Sequence, residues 1–307
     1  MSEAERILVI KLSALGDFVQ ALGPFRAIRE HHPQAHITLL TTRPYVGFAK
    51  YSPYFDAVWE DEKAPRWRLD RMVALARRLN QGRFDRVYDL QTSGRSSFYF
   101  RLFSSPKPAW SGIAKGCSHP HANPARDAMH TADRQAEQLA QAGIPSTPPP
   151  DLSWVEACAP CLKVERPFVL LVPGGAPSRP EKRWPVERYA ALARAVAERG
   201  FTPAVLGSKA EREEARIITA ACPRAVDFTE RTSLYDIVGL AREAAFAVGN
   251  DTGPMHLIAA TGCASLVLYA EASDPKLCGQ RGPQVTILRK PRLDQLDLDE
   301  VLSNMEL

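Results

Sequence analysis

The chain has 307 residues, enough for two domains of ordinary size, and its 45% hydrophobic and 24% charged residues are typical of a globular protein. The formal net charge of +4 is small and the basic residues form no single long block, which argues against a nucleic-acid-binding protein. No apolar run approaches the roughly 20 residues of a membrane-spanning helix, and residues 1–6 do not resemble a signal peptide. We therefore expect a cytoplasmic protein, for which peripheral contact with an inner-membrane surface stays open.

Strand and helix patterns alternate along the chain, and a proline-rich stretch at 145–167 interrupts them near the middle. In the first half the predicted strands are 6–11, 35–41, 56–59, 84–90 and 108–112, and the predicted helices are 18–31, 67–81 and 131–142. In the second half the predicted strands are 168–172, 202–206, 244–248 and 264–269, and the predicted helices are 186–199, 210–221, 233–242, 253–261 and 296–305. Such alternation is typical of parallel sheets covered on both faces, so we predict two α/β domains, 1–155 and 156–307.

The most informative motif is GNDTGPMH at 249–256, which joins a predicted strand to a predicted helix. Pro254 suits the first turn of a helix, where its missing N–H costs nothing, and free amides at a helix start attract an anion. Thr252 and His256 are four residues apart and can share one face of that turn. An ordinary capped helix is the alternative. We predict that four residues form a phosphate-binding site: Asp251, Thr252, Gly253 and His256.

A second strand–loop–helix junction lies near the start of the chain, where ILVI at 7–10 precedes KLSALGD at 11–17. The loop has no G-x-G-x-x-G dinucleotide fingerprint, but it places the carboxylate of Asp17 beside a glycine at a helix start. A carboxylate there can take a proton from an acceptor hydroxyl as that hydroxyl attacks a sugar carbon. We predict that Asp17 is the general base; helix capping is the alternative, and the two roles can coexist.

A third loop follows the predicted strand 168–172 and contains SRPEKRWP at 178–185. Lys182 offers a compact charge with three donors to a diphosphate, although a solvated basic loop is the alternative. Further along, Glu211 can accept hydrogen bonds from ribose hydroxyls and Thr232 can border the base. Capping or surface placement accounts for both of these residues equally well.

Dispersed arginines in the first half follow predicted strand ends or loops, where guanidinium groups can bind an anionic acceptor. Each of them is also compatible with a solvated surface position. These residues are Arg43, Arg95, Arg126 and Arg134.

Six cysteines are scattered along the chain, and reduced thiols are expected in the cytoplasm. Cys158 and Cys161 have C-x-x-C spacing, and Cys117, His119 and His121 are the further ligands that a zinc site would use. The C-x-x-C pair lies in the proline-rich stretch, which argues against a redox role. We predict no metal site, while the zinc alternative stays open.

These segments together resemble glycosyltransferase family nine, the ADP-heptose:lipopolysaccharide heptosyltransferases. The order and spacing of the motifs hold over nearly the whole chain. One departure is YAEAS at 269–273, where the family commonly has a glycine, as in Phe-Gly-Pro. The segments that carry the resemblance are 7–17, 85–91, 129–134, 182–185 and 250–257.

The resemblance implies a GT-B architecture, in which two Rossmann-like, doubly wound parallel-sheet domains face each other across a cleft. It implies an inverting transfer of a sugar, heptose from ADP-heptose, to a lipopolysaccharide core or related surface glycan, without a required cofactor or metal. Asp17 matches the base, Lys182 matches the lysine that holds the donor phosphates, and Ser178 falls near a phosphate-binding hydroxyl. The family's C-terminal helix often packs on the first domain, which we expect of residues 296–305.

We therefore expect a monomer whose partners are a nucleotide sugar and an anionic glycolipid. A non-catalytic nucleotide-sugar-binding relative and a sugar-nucleotide epimerase of the same architecture stay open as alternatives. The predicted donor-binding residues are Ser178, Lys182, Glu211, Thr232, Asp251, Thr252, Gly253 and His256, and the predicted acceptor-binding residues are Ser13, Gly16, Arg43, Arg95 and Arg126.

Overall fold

The computed structural model of the chain describes residues 4–156, 162–175 and 179–305. The chain divides into two compact units, with the division between Trp154 and Val155. Within the described residues, no helix has the length and apolarity needed to cross a bilayer.

The first unit contains one six-stranded sheet in the order β3-β2-β1-β4-β5-β6, with all neighbouring strands parallel. This is the Rossmann order, whose direction of winding reverses between β1 and β4. The strands are β1 Arg6–Ile10, β2 His36–Thr41, β3 Ala57–Glu60, β4 Arg86–Asp89, β5 Ala109–Gly112 and β6 His119–Pro120, and the helices are α1 Leu15–Gln20, α2 Leu22–His31, α3 Arg43–Lys50, α4 Leu69–Gln81, α5 Gly94–Tyr99 and α6 Thr131–Gln141.

The second unit repeats this path with a second six-stranded parallel sheet in the order β12-β11-β10-β7-β8-β9. Its winding reverses between β7 and β10. The strands are β7 Phe168–Val172, β8 Thr202–Val205, β9 Val226–Asp227, β10 Phe246–Asn250, β11 Ser265–Ala270 and β12 Val285–Lys290, and the helices are α7 Val186–Glu198, α8 Arg212–Ala221, α9 Leu234–Glu243, α10 Gly253–Ala260, α11 Pro275–Cys278 and α12 Leu298–Ser303.

The central strands of both sheets are apolar and buried, as parallel strands covered on two faces must be. All five residues of β7 and of β10 are buried, and so are the last four residues of β1. The predicted fold class, two doubly wound parallel-sheet units, is confirmed.

The single helix predicted at 18–31 is wrong, because the structure has α1 and α2 separated at Ala21. Pro24 lies in the first turn of α2 and has no N–H to donate to the carbonyl of Gln20, which interrupts the helical hydrogen-bond pattern at this point. Because α1 begins at Leu15, Asp17 lies inside its first turn.

Several short elements were not predicted. α3 is eight residues long and contains Gly47, which weakens its helical pattern. β12 is a half-exposed strand at the sheet edge, so it lacks the apolar run of a central strand. The other unpredicted elements are α5, β6, β9 and α11.

The proline-rich stretch 145–167 contains no helix or strand among its described residues, but its first part is packed rather than free. The Tyr54 hydroxyl donates to the carbonyl of Asp151 at 3.5 Å, and the rings of Phe48 and Trp154 lie 5.1 Å apart. Residues up to Trp154 therefore belong to the first unit.

The C-terminal helix α12 contacts α7 of the second unit; the expected packing of residues 296–305 on the first domain stays a prediction. Val301 of α12 is completely buried in the core of that unit. Just before the helix, the carbonyl of Leu296 accepts a hydrogen bond from Trp184 Nε1 at 2.8 Å. The buried indole of Trp184 therefore holds the segment before α12 against the core of the second unit.

Candidate functional site

The loop after β1 is fastened where the first sheet reverses its winding. Gln91, which follows β4, accepts hydrogen bonds at Oε1 from the backbone N–H groups of Leu12 (2.7 Å) and Ser13 (3.1 Å). Thr42 Oγ1 donates to the carbonyl of Leu12 at 2.7 Å, and Lys63 Nζ donates to Ser13 Oγ at 3.0 Å. The loop that leads to Asp17 is thus held on several sides at the carboxyl edge of the sheet, where ligands bind in such folds.

Asp17 uses one carboxylate oxygen to cap its own helix and leaves the other open. Its Oδ2 accepts a hydrogen bond from the backbone N–H of Ala14 at 3.1 Å. Its Oδ1 accepts no hydrogen bond from any residue that the structure describes. Capping and an available basic oxygen therefore coexist in one side chain, with Gly16 buried beside it in α1.

Cationic side chains surround Asp17. Burial lowers the pKa of Lys11, whose Nζ donates to the carbonyl of Leu90 at 3.1 Å, while the charge of Asp17 acts in the opposite direction. Burial also lowers the pKa of Arg134; the charge of Arg126 adds to this effect, and Asp17 again opposes it. Asp17 therefore lies in a cluster of mixed charge, with Lys11, Arg126 and Arg134 as its basic members and Asp89 and Asp127 as its other acidic members.

The predicted acceptor-binding arginines fall into different environments. Arg126 pairs with Asp127 at 2.8 Å, and its Nε and Nη2 are buried with no hydrogen-bond partner within the described part of the chain. Arg95 donates from Nη1 to the carbonyl of Ala64 at 3.1 Å, a structural contact. Arg43 is exposed at the first residue of α3. Of these three, only Arg126 is connected to the charges around Asp17.

In the second unit, Asn250 ends β10 and ties together the loops at the place where the sheet reverses its winding. Its Oδ1 accepts hydrogen bonds from the N–H of Trp184 (3.0 Å) and the hydroxyl of Tyr189 (3.1 Å). Its Nδ2 donates to the carbonyls of Pro173 (2.8 Å) and Gly174 (3.0 Å). Four hydrogen bonds satisfy this completely buried amide, which fastens the loop after β7 to the segment before α7.

Lys182 and Asp251 form a largely buried ion pair, with Lys182 Nζ 3.1 Å from Asp251 Oδ2 and side chains only 13% and 10% exposed. The same oxygen accepts a hydrogen bond from Ser273 Oγ at 2.6 Å. The other oxygen, Oδ1, accepts from the hydroxyl of Tyr269 at 2.9 Å and from Gln280 Nε2 at 3.2 Å. With four donors around it, this carboxylate is suited to orienting Lys182 rather than to meeting an anion itself.

The same contacts determine the charge states of the cluster. Burial alone would raise the pKa of the Asp251 carboxyl, but the Ser273 hydrogen bond and the charge of Lys182 outweigh burial and hold that pKa below its ordinary value. Burial and the neighbouring charge of Asp251 raise the pKa of Tyr269. Asp251 is thus a carboxylate at neutral pH, and Tyr269 is a protonated donor.

Helix α10 begins as its sequence predicts, with Thr252 at the N-cap, Gly253 first in the helix and Pro254 in the first turn. Thr252 Oγ1 is buried and has no hydrogen-bond partner among the described side chains and backbone. His256 is buried, and its backbone N–H donates to the carbonyl of Thr252 at 3.4 Å. An unpaired hydroxyl and first-turn amides are the groups that a phosphate would meet there.

The remaining predicted donor residues are placed as follows. Glu211 is buried, and its Oε2 accepts from the N–H (2.8 Å) and the hydroxyl (2.7 Å) of Ser208, so the capping alternative is observed. Thr232 is half-buried and precedes Ser233, the N-cap of α9. Ser178 lies outside the described residues. Ribose, base and phosphate contacts of these three residues stay predictions.

Sequence reasoning missed the residues that hold Asp251 and the loops. Asn250 is part of the GNDTGPMH motif, but the sequence predicted no role for it, and it predicted none for Gln280. The one available signal for Tyr269 and Ser273 was the departure of 269–273 from the family pattern; in the structure both residues donate to Asp251.

Residues 4–156, 162–175 and 179–305 contain no group of three His, Cys, Asp or Glu side chains arranged to hold a metal ion. Cys117 is buried with its Sγ 3.7 Å from the carbonyl of Gly112, and His121 faces Glu137 at 3.4 Å. Cys158 and Cys161, the other two cysteines of the zinc hypothesis, lie outside the described ranges.

Comparison with known proteins decides the family. The model of glycosyltransferase family 9 (heptosyltransferase) matches residues 72–305, well over half of the chain. The chain belongs to glycosyltransferase family 9. It is therefore a glycosyltransferase, and the epimerase alternative is set aside.

Relatives along the whole chain agree with this assignment. The lipopolysaccharide core heptosyltransferase OpsX of Haemophilus influenzae is 24% identical over 292 residues, covering 88% of this chain and 80% of OpsX. The solved ADP-heptose lipopolysaccharide heptosyltransferase II of E. coli is 23% identical with a TM-score of 0.81, covering 97% of each chain. E. coli heptosyltransferase WaaC, solved with ADP, is 20% identical with a TM-score of 0.79, covering 97% of this chain and 98% of WaaC. These two structural likenesses confirm the predicted GT-B fold class.

Proposed function

We propose that this chain transfers heptose from ADP-heptose to a lipopolysaccharide core or a related surface glycan, with inversion at the anomeric carbon. Family membership supports the reaction class. The relatives support the finer assignment. One is named a lipopolysaccharide core heptosyltransferase and another an ADP-heptose heptosyltransferase, which supports the sugar and the acceptor. A third was solved with ADP, which supports the nucleotide.

The observation that carries the proposal is the Lys182–Asp251 pair of the second unit. When a sugar leaves its nucleotide, negative charge builds on the departing diphosphate, and fixed positive charge lowers the energy of that transition state. Lys182 is a fixed ammonium, because Asp251 holds it at 3.1 Å. The first-turn amides and dipole of α10, with the Thr252 hydroxyl, add further donors.

In the proposed reaction Asp17 is the general base. The acceptor hydroxyl gives its proton to Asp17 Oδ1, and its oxygen forms the new bond to the anomeric carbon. The bond from that carbon to the diphosphate breaks, and ADP leaves with the electron pair. The transition state has oxocarbenium character, as in glycoside chemistry. The basic side chains of Lys11, Arg126 and Arg134 suit an anionic acceptor near this base.

The proposal includes no cofactor and no metal requirement, so chelation should leave activity unchanged. Because the proposed acceptor is a glycolipid, we propose a cytoplasmic enzyme that works peripherally at the inner membrane. A monomeric state stays a prediction.

A thermal-shift titration with ADP, GDP, UDP, CMP and dTDP tests the donor half of the proposal. A ligand at 100 times its Kd stabilises the native state by about 2.7 kcal/mol, so a selective rise of Tm with ADP is the expected result. Lys182→Ala should lose this rise, whereas Lys209→Ala, an exposed lysine of the same unit, should keep it. A selective response to another nucleotide, or none at all, would contradict an ADP-linked donor.

A further inference from the structure

The outer side of α4 and the turn just before it expose large apolar side chains that the core does not require. Trp67 is 75% exposed, Leu69 72% and Val73 48%. The inner side of the helix is already satisfied, because Met72 and Leu79 are buried. Of the five large hydrophobic residues that are strongly exposed in the described ranges, these three lie within seven positions of one another. A surplus apolar stripe of this kind calls for a partner outside the unit.

The same segment carries the net charge of the chain. Residues 62–78 contain six Lys or Arg and two Asp or Glu, a net charge of +4, which equals the formal charge of all 307 residues. The remainder of the sequence is therefore neutral. The basic residues therefore form no long block, but the excess of positive charge is concentrated in this one short segment.

Helical spacing brings the apolar and basic groups together. Leu69, Val73 and Arg77 are four residues apart, so they form one line along the exposed side of α4. Arg66 is exposed just before Trp67, and its guanidinium lies over the ring of Phe98 at 4.7 Å from the centroid. We name the residues Trp67, Leu69 and Val73, with Arg66, Arg68, Arg71 and Arg77 around them, the α4 surface.

We propose that the α4 surface docks on the face of a lipid bilayer that carries anionic headgroups. Trp and aliphatic side chains enter the boundary between headgroups and acyl chains, while Arg side chains reach back to the lipid phosphates. Each basic residue near an anionic surface adds electrostatic attraction. The inference rests on the proposed function, because docking on a bilayer would bring the enzyme to a glycolipid acceptor that lies in that bilayer.

The charge of the surface distinguishes this partner from others. The α4 surface has four arginines against the neighbouring acidic side chains of Glu62 and Asp70, so a second copy of the chain would bring like charge against it and the two would repel. A nucleic acid would use the arginines but leave three apolar side chains without a partner. An anionic bilayer satisfies both kinds of group.

The test is co-sedimentation of the full chain with vesicles that contain no glycolipid acceptor. Vesicles with about 30 mol% phosphatidylglycerol in phosphatidylcholine should bind the protein, and binding should fall in pure phosphatidylcholine and in about 0.5 M NaCl. The fluorescence of Trp67 should shift to shorter wavelength on binding, and Trp67→Ala should lose that shift.

Two variants and a matched control separate the contribution of the apolar side chains to vesicle binding from that of the arginines. Trp67→Ser with Leu69→Ser, and Arg68→Glu with Arg77→Glu, should each weaken binding at least about tenfold. The control Arg194→Glu with Arg199→Glu removes the same charge from exposed positions of α7 and its C-cap and should weaken binding far less. Unchanged Tm for each variant excludes unfolding.

The proposal is overturned if wild type ignores anionic vesicles, if both test variants bind like wild type, or if the control loses as much. It is also overturned if wild type is a dimer that the Trp67→Ser/Leu69→Ser variant makes monomeric. The ADP-induced rise of Tm reports on the second unit. If wild type binds vesicles but shows no such rise, the result would contradict the proposed function alone. A rise of Tm without vesicle binding would contradict the membrane inference alone.

Discussion

Asp251 illustrates how contacts change the meaning of a residue in a motif. As a residue type beside a glycine and a helix start, it is predicted to belong to a phosphate site. In the structure its two oxygens accept from Lys182, Ser273, Tyr269 and Gln280. An ionised carboxylate would repel a diphosphate, whereas the lysine that it orients would attract one. We therefore expect Asp251 to act through Lys182.

If Asp251 works in this way, loss of a side chain that donates to Asp251 should weaken the binding of ADP. Ser273→Ala removes a hydrogen bond of 2.6 Å to a charged group, so we expect the Kd for ADP to rise about threefold to tenfold. The comparison variant is Ser303→Ala, an exposed serine on α12 that donates to the carbonyl of Glu300. Equal ADP affinities of wild type and Ser273→Ala, measured by calorimetry, would refute this role.

Asp17→Asn removes the proposed base and keeps the shape of the side chain. The amide oxygen can still accept from the N–H of Ala14, so the fold and the ADP response should stay as in wild type. Transfer should fall by at least about 100-fold, the lower range for loss of a general base. Asp299→Asn, an exposed aspartate of α12, serves as the control in the same steady-state assay. Unchanged turnover of Asp17→Asn would remove Asp17 from the mechanism.

Asp89 at the end of β4 links pH to stability. It is completely buried, and burial raises its pKa to about 7 although the N–H groups of Gln91 and Thr92 donate to Oδ1. The folded state therefore holds a proton that the unfolded state releases near pH 4, so the contribution of Asp89 to stability is present below that pH and is lost as pH rises through about 7.

Urea unfolding of wild type and Asp89→Asn at pH 4 to 8 measures this effect. Each pKa unit corresponds to about 1.4 kcal/mol, so wild type should lose a few kcal/mol relative to the variant over this range. A constant difference between the two proteins from pH 4 to pH 8 would show that Asp89 is not responsible.

Among the secondary-structure elements, β10 and α10 depend on close approach at Gly249. A Cβ on Gly249 would lie 2.7 Å from Met255 Sδ and from Val172 Cβ, so strand, helix and neighbouring strand meet where no side chain fits. The register supports this placement, because Gly249 pairs with Val172 in the sheet. The contact fixes where α10 starts relative to the loop after β7.

Two glycine-to-alanine variants test this packing. Gly249→Ala should lower the free energy of unfolding by about 1–3 kcal/mol, the usual cost of overpacking a core. Gly239→Ala, in α9, meets no atom within 4 Å and should raise it by up to about 1 kcal/mol, because alanine favours a helix. Chemical denaturation of wild type and both variants measures these changes in the free energy of unfolding. An unchanged free energy for Gly249→Ala would contradict the close approach.

For the molecule as a whole, the sequence predicts the regular parts of both sheets well. Runs such as 7–10 and 168–172 are apolar and β-branched, and their polar loops mark the carboxyl ends of the strands. The strand-to-helix junctions of the candidate site were recognisable because glycine, proline and a polar residue occur together at fixed spacing. Strand order came with the family resemblance, since periodicity says nothing about which strands are neighbours.

The remaining parts depend on tertiary structure. Three donors to Asp251 come from 18, 22 and 29 residues away and the fourth, Lys182, comes from 69 residues away, and no local pattern predicts such a convergence. The α4 surface was missed for a related reason: burial of one helix side decides which apolar residues are left exposed. Short elements such as α3 and β12 carry too little periodic signal to be recognised before their packing is known.

We propose that this glycosyltransferase moves heptose from an ADP-linked donor. The most direct test is to incubate the purified chain with ADP-heptose and a heptose-free core glycolipid, and to follow ADP release together with the mass of the glycolipid. We expect one heptose added per glycolipid, ADP in equal amount, and neither product with Asp17→Asn. ADP release without a heavier glycolipid, or transfer only from a donor with another nucleotide, would contradict it.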